Sequence, residues 1–526
     1  MPDAPGAAGV RIAELVATLS YAADLGLGQP MEHCMRQTVI ALRLADMLGA
    51  SAAEREATYY LGLMMNVYCH ADATEQAQWF GDDIGFKGAA FDAMGMSTAG
   101  VIAFLVRRLS SHGSAMARAR RLATFPISGQ KQILSFLNTH STLGAQFAER
   151  IGLGTPARDA IAQAYEQWDG KGQPGRLRGA EICLPARLVH LASPVEVFGR
   201  RGVEAARTIA RRHSGTEFDP DVVDLFHVHA PELLADLDEA ADWDAVLDAA
   251  PELSRRVTGD ELDQVLEAMA DLVDLKSPYL AGHSRGVANL AAEAARRSGM
   301  PEEDLRTLRR AALVHDLGRL GVSNSIWDKP AALGSAELER VRLHPYLTDR
   351  MLARVTELAR SREIAARHHE RLDGSGYPRG LTAQTLTPSD RLLAAADVYH
   401  AMTEPRPHRP PLDSEQAARG LRAEVRSGRL DGDAVRAVLQ AAGHRAPVRR
   451  TWPAGLTARE VEVLGLLARG YTNRQIAQHL VVSAKTVSNH VEHLYIKIGV
   501  RSRAAATLYA TQHGLIGSFE TGEKRG

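Results

Sequence analysis

Two stretches of this chain repeat one another. His33 lies 16 residues before Gly49, and His283 lies 16 residues before Gly299. Continuing ungapped from those histidines, Leu63-Met64-Met65-Asn66 falls on Leu313-Val314-His315-Asp316. Further along, AYEQWDGKGQP (164–174) falls on HHERLDGSGYP (368–378), and LVHLAS (188–193) on LLAAAD (392–397). The first copy carries about 46 extra residues between these blocks, over roughly 80–125. Self-similarity of this kind predicts one fold used twice. A length of 526 residues also exceeds what a single core supports.

The repeated design reads as helical. ELDQVLEAMADLVDL (261–275) places apolar residues at helical spacing, and strand-like alternation is scarce. Breaks fall at SGTEFDPD (214–221), near Pro251, at PRPHRPPLDS (405–414) and at GHRAPVRRTWPAG (443–455). The last reads as a linker, because its prolines cannot continue a helix. Three cysteines (Cys34, Cys69, Cys183) without a CxxC pair imply neither a disulfide framework nor a zinc knuckle, and fit a reducing cytosol. The N-terminus lacks a basic region followed by an apolar run, and no apolar run reaches about 18 residues, so the expectation is a soluble cytoplasmic protein with no membrane partner. A net charge of −1 gives no whole-chain signal for a polyanion, so charge must be read locally.

In the second copy the ionisable residues come in a fixed order: His283, His315-Asp316, His344, His368-His369, Asp397. Imidazoles and carboxylates without thiolates suit Fe, Mn or Zn in a catalytic role. Neighbouring residues on a helix point about 100° apart, so a His-Asp or His-His doublet can serve two metals. Two metals about 3.5–4 Å apart clamp a phosphoryl group during in-line attack. His344 beside Pro345, taken alone, is more often a capping residue; the ordered set carries the reading.

Residues 278–409 resemble the HD-GYP branch of the HD phosphohydrolase superfamily, all-helical enzymes that hydrolyse cyclic di-GMP. His315-Asp316 match the HD signature, and Gly376-Tyr377-Pro378 match GYP. The resemblance implies His283, His315, Asp316, His344, His368, His369 and Asp397 as ligands of two divalent ions, iron or manganese, with Asp316 bridging. It implies Asp316 and Arg319 as catalytic, and Arg319, Gly376, Tyr377, Pro378, Arg406 and Arg409 as substrate-binding. Four positions depart from the family. Arg319 stands where Lys is usual, and a planar fork is not equivalent to a point charge. His408 replaces a tyrosine in the RPYR segment, His400 replaces an aspartate, and Tyr279 stands where a third-metal Glu occurs. A binuclear site follows. At the seven ligand positions the first copy offers His33, Met65, Asn66, His140, Ala164, Tyr165 and Ser193, a scaffold that has lost its site, with a ligand-sensing or dimerising pseudo-enzyme as the alternative. His33 and His140 read as structural.

Residues 456–515 break helical periodicity at Gly470-Tyr471 and around Val481–Ser483, leaving a short helix (473–480), a turn with Ser483 as N-cap, and a longer helix from about 484. That is helix-turn-helix geometry with a local basic face; periodicity alone favours an ordinary four-helix cap whose basic residues are solvated. LTARE, GYTNRQIA, SAKTVSNHV and KIGVRSR resemble the LuxR-type DNA-binding domain throughout. The resemblance implies that Lys485, Thr486, Lys497 and Arg503 meet phosphates while Ser488, Asn489 and Glu492 face base edges. It also implies double-stranded DNA as a partner and a homodimer.

The expected architecture is all-α: two tandem HD-like bundles (1–250, degenerate; 251–445, metal-dependent), a linker (446–455) and a four-helix LuxR-type module (456–526). The expected function is a DNA-binding regulator carrying a phosphodiesterase for cyclic di-GMP or a related nucleotide. The alternatives are a regulator that senses a nucleotide with little turnover, and a phosphohydrolase for another phosphorylated metabolite.

Overall fold

The computed structural model describes residues 9–109, 114–126, 130–250, 255–443 and 452–516. The break near Pro251 and residues 446–451 of the expected linker lie outside the described residues. The architecture is all-α, with one two-stranded ribbon among the described residues, β1 (Val10–Arg11) antiparallel to β2 (Arg256–Val257). The chain divides into two compact units. The first holds the residues up to Ala268 with Leu320–Ser325 and Arg354–Glu357; the second holds Met269–Arg319, Ile326–Ala353 and the chain from Leu358 onward. Packing therefore carries the first unit past residue 250, because β2 returns to pair with β1.

In the first unit α1 (Ile12–Gly26), α2 (His33–Met47), α3 (Ala52–Met64), α4 (Gln130–Arg150) and α5 (Leu184–Gly199) surround a core that includes Leu15, Leu19, Ile40, Tyr60 and Leu191. Ser51 and Glu54 cap α3 reciprocally, satisfying N–H groups its first turn leaves unpaired. The extra segment of the first copy forms the helices Asp83–Met94, Thr98–Leu109 and Ala115–Thr124, with a small core of Phe80, Leu109 and Phe125.

The second unit repeats this order with α6 (His283–Arg297), α7 (Glu302–Val314), α8 (His344–Leu352) and α9 (Pro388–Thr403). Buried alanines at 288, 291, 292, 294 and 295 let α6 pack against its neighbours. The repeat extends to individual hydrogen bonds. The Cys34 N–H donates to the Asp24 carboxylate as the Ser284 N–H does to Asp274. Glu166 accepts the N–H groups of Gly175 and Arg176, as Glu370 accepts those of Arg379 and Leu381. Gln173-Pro174 and Tyr377-Pro378 are both cis.

The C-terminal module has four helices, α10 (Ala458–Ala468), α11 (Asn473–Leu480), α12 (Ala484–Ile498) and α13 (Arg503–Gln512). Thr457 with Glu460 and Thr472 with Gln475 form capping boxes, and Ser483 accepts the Thr486 N–H, the start signal expected from the sequence. Val461, Leu464, Ile476, Val487, Leu494 and Ala506 fill its core, which Ala281 joins from the loop before α6.

Candidate metal centre

All seven expected ligands converge in the second unit, and all but His369 are buried. Local geometry explains how. Gly282 adopts a left-handed φ of 78°, turning the chain so that His283 opens α6. His315 and Asp316 follow the last turn of α7. Gly318 permits the next approach: a Cβ there would lie 2.0 Å from the His344 carbonyl oxygen, so a side chain would push α8 away. His368 and His369 precede the GYP turn, which Glu370 staples through its two N–H acceptances.

Hydrogen bonds fix the imidazoles. Nδ1 of His315, His344 and His368 donates to the carbonyls of Ala312 (2.7 Å), Val341 (2.6 Å) and Ala365 (2.6 Å). A carbonyl only accepts, so each ring keeps its proton on Nδ1 and turns a bare Nε2 inward. His283 is held at Nδ1 by Glu404 at 2.9 Å. Asp316 sits among these nitrogens, with Oδ2 3.1 Å from His315 Nε2 and 3.5 Å from His283 Nε2, and Oδ1 3.5 Å from His344 Nε2 and 3.6 Å from His368 Nε2. Asp397 Oδ1 lies 3.3 Å from His283 Nε2.

Donor atoms group as His344, His368 and His369, and as His283, His315 and Asp397, with Asp316 between them. This set fits a pair of cations. His344 Nε2 and His368 Nε2 face one another at 3.1 Å, two lone pairs that repel unless a cation lies with them. Nε2 of His283 and His315, both oxygens of Asp316 and Oδ1 of Asp397 are buried without a hydrogen-bond partner, an arrangement costly in a purely structural core. Electrostatics agree at three of the imidazoles and hold the fourth, His283, charged among its carboxylates. Burial pushes His344 down to about 4 and His368 and His369 well below the usual histidine range, leaving them neutral and ready to ligate. Burial alone would raise Asp316, but Arg319 and His315 hold it well below the carboxylate range. Burial opposes the charge on His283, yet Glu404 and Asp397 raise it to about 10.

Of the remaining expected site residues, Arg319 places Nε 2.8 Å from Asp316 Oδ2, with its guanidinium over the Trp327 ring at 4.9 Å. Tyr377 packs on His369 with ring centroids 4.7 Å apart, beside Gly376 and Pro378 of the turn. Arg406 pairs with Glu404 at 3.0 Å, and Arg409 donates to the carbonyls of Ala401, Met402, Glu404 and Pro410, so it closes the end of α9. Two contributors escaped sequence reasoning. Glu404, four residues after His400, holds both His283 and His400; its i,i+4 spacing from His400 is the signal that could have found it. Trp327 has no sequence signal.

In the module Lys485, Thr486, Ser488, Asn489 and Glu492 are exposed along α12. Lys497, exposed on the surface, bonds Glu460 at 2.7 Å, and Arg503, half-buried, donates to the Tyr471 carbonyl at 2.6 Å, so both also brace the module. In the first unit, His33 is held by Glu196 and His140 by Asp72, and no group of metal-competent donors occurs there among the described residues.

The HD domain family matches residues 131–222 and 267–434, and the bacterial regulatory protein luxR family matches residues 454–510. A curated relative, 3'3'-cGAMP-specific phosphodiesterase 3 of Vibrio cholerae, is 31% identical over 411 residues, covering 77% of this chain and 89% of its own. Cyclic di-GMP phosphodiesterase PA4108 of Pseudomonas aeruginosa is 35% identical over 179 residues, 34% of this chain and 43% of its own. The crystal structure of the Vibrio cholerae cyclic GMP-AMP specific phosphodiesterase V-cGAP3 aligns at a TM-score of 0.55 and 26% identity, covering 84% of this chain and 99% of that one. With its ligand set, its GYP turn and a relative matched over nearly its whole length, this chain belongs to the HD-GYP phosphodiesterases of the HD-domain superfamily and carries a LuxR-family helix-turn-helix module at its C-terminal end.

Proposed function

We propose that the second unit hydrolyses a 3',3'-linked cyclic dinucleotide and that the module binds double-stranded DNA, so that one chain joins second-messenger turnover to promoter occupancy. The observation that carries the reading is the inward set of bare Nε2 and carboxylate atoms around Asp316. His344, His368 and His369 would hold one cation, His283, His315 and Asp397 the other, and Asp316 both; manganese or iron suits the set. The chemistry the cations supply when bound is polarisation of a phosphoryl oxygen and acidification of water. The chain's own residues do the rest. Arg319, anchored by Asp316 and stacked on Trp327, keeps its buried Nη1 without a hydrogen-bond partner and offers it to a phosphate oxygen. Tyr377 closes the side of the site at His369.

Both kinds of relative, those named for 3'3'-cGAMP and those named for cyclic di-GMP, fit this site. Arg319 in place of the usual Lys, and His400 and His408 in place of Asp and Tyr, favour a substrate other than cyclic di-GMP, with 3'3'-cGAMP first in line. The test is hydrolysis of each dinucleotide by the full chain purified with manganese or iron, beside Asp316→Ala. Cleavage of one by the wild type and not by the variant supports the enzyme; equal rates sink it and leave a nucleotide sensor. On the DNA side, Lys485 and Thr486 meet phosphates while Ser488, Asn489 and Glu492 face bases, and two copies of the chain occupy two half-sites. Binding of the full chain to duplex DNA that does not weaken with salt counts against this interface.

A further inference from the structure

Residues 93–148 contain no aspartate or glutamate, yet they contain Arg107, Arg108, Arg118, Arg120, Arg121 and Lys131. At the chain average of 63 acids in 526 residues, a stretch of this length would carry about seven. In a chain of net charge −1, this is a strong local excess of positive charge. All five arginines lie in the segment that the first copy adds to the shared design, and the second unit builds its bundle without a counterpart.

Two helices present these charges, Thr98–Leu109 and Ala115–Thr124, tied together where Arg121 Nε donates to the Leu109 carbonyl at 3.0 Å. Their inner sides close on the small core of the segment, where Leu105, Leu109 and Leu122 meet Phe80 and Phe125. Their outer sides lack the polar surface of an ordinary solvated helix. On the first, Ile102 and Val106 stand one turn apart, 57% and 46% exposed. On the second, Met116 is 83% exposed, and Ala119, Arg120 and Ala123 continue its face at helical spacing, all exposed. Arg107 and Arg118 are exposed beside these faces. The cations also crowd one another: burial and the neighbouring Arg118 both hold Arg121 below the usual guanidinium range.

We propose that the outer faces of these two helices dock on an anionic lipid surface, with Ile102, Val106 and Met116 entering the headgroup boundary and Arg107, Arg118 and Arg120 meeting lipid phosphates. Apolar side chains exposed among cations select this partner. A nucleic-acid backbone offers phosphates but nothing for Ile102 or Met116 to enter. A second copy of the chain brings the same positive face and is repelled. A partner helix docks into a groove, whereas the filled inner side makes this pair of helices a ridge. A bilayer surface takes both components at once: anionic headgroups attract the arginines, and the acyl boundary takes the apolar side chains. No helix among the described residues is long and apolar enough to cross a membrane, which bears on crossing and not on lying at a surface. The sequence expectation of no membrane partner rested on spans, and this face departs from it.

The test is co-sedimentation of the full chain with vesicles. Vesicles of phosphatidylcholine and phosphatidylglycerol, two to one, are expected to carry the protein down, vesicles of phosphatidylcholine alone are not, and high salt is expected to weaken the binding. Arg118→Glu combined with Arg120→Glu is expected to weaken partitioning at least about tenfold, and so, separately, is Ile102→Ser combined with Met116→Ser. All four side chains are exposed, and thermal melts matching the wild type show that each variant stays folded. Absence of binding to the phosphatidylglycerol vesicles overturns the proposal. Binding that the charge reversals remove but the serine substitutions spare marks a site for a polyanion such as nucleic acid, and overturns it too. Binding that both pairs spare, and that Lys485→Glu removes, belongs to the basic face of the module and has the same consequence.

Discussion

Replacing Asp316 with Asn keeps the shape of the side chain and removes one negative charge from the point where four imidazole nitrogens meet, at 3.1 to 3.6 Å. Two effects follow. Without metal, the wild-type carboxylate is ionised at neutral pH, because Arg319 and His315 outweigh the burial that would raise it. Its loss leaves Arg319 buried without an anion, and breaking a buried pair in this way costs about 3–5 kcal/mol. At roughly 2–4 °C per kcal/mol for a unit of this size, the metal-free variant is expected to melt about 6–20 °C below the metal-free wild type. The second effect concerns metal. An ion at 1,000 times its Kd stabilises the folded state by about 4 kcal/mol, so manganese is expected to raise the wild-type Tm by about 8–16 °C. In the variant both donor groups lose their shared oxygen, and that rise should all but vanish. Calorimetry of the chelator-stripped protein, followed by a manganese titration, measures both quantities. A variant that keeps the full metal-induced rise refutes the bridging role of Asp316; an unchanged metal-free Tm refutes the weight given to its contact with Arg319.

Four further outcomes are expected. Arg319→Met should lower kcat/KM by about 10²–10³-fold by removing a donor to the phosphoryl group, while Arg319→Lys restores charge and shifts the preference between cyclic dinucleotides; unchanged kinetics in both would remove Arg319 from the site. Gly318→Ala should destabilise by about 1–3 kcal/mol and weaken metal binding, since its Cβ meets the His344 carbonyl; normal metal content would show that α8 can yield. Glu460, brought down to about 2 against burial by Lys497 and Thr457, contributes stability above the unfolded value near 4.3 that is lost as pH falls through about 2. Glu460→Gln keeps the capping box and removes the ion pair, so module stability at pH 7 should fall by no more than about 1 kcal/mol and lose that acid dependence, as read by thermal melts from pH 2 to 7. Lys485→Ala should weaken DNA binding regardless of sequence and reduce the slope of log affinity against log salt by about 1; an unchanged slope places Lys485 away from phosphate.

The candidate centre was legible because metal chemistry restricts residue types, and because the second half could be read against a first half in which Met65, Asn66 and Ala164 stand at the matching positions. Helix starts in the module were legible for a local reason: Thr457 with Glu460, Thr472 with Gln475 and Ser483 act within three residues, so the sequence contains the whole interaction. Contacts between distant segments were less legible. Glu404 holding His283, Trp327 under Arg319, and the bonds of Lys497 to Glu460 and of Arg503 to the Tyr471 carbonyl depend on which helices pack together, and local pattern does not encode that. The first half shows the same limit. His140 reads as a structural residue, and its partner Asp72, 68 positions away, could be named only from the packing.

By itself, then, the sequence determined the helical class, the repeat, the seven residues of the candidate centre and the helix-turn-helix, because each rests on residue type and on spacing within a few turns. Tertiary structure alone decided which nitrogen of each imidazole faces inward and which carboxylate carries charge. Those properties arise from burial and from partners far apart along the chain, where distance and dielectric rather than order set the energy.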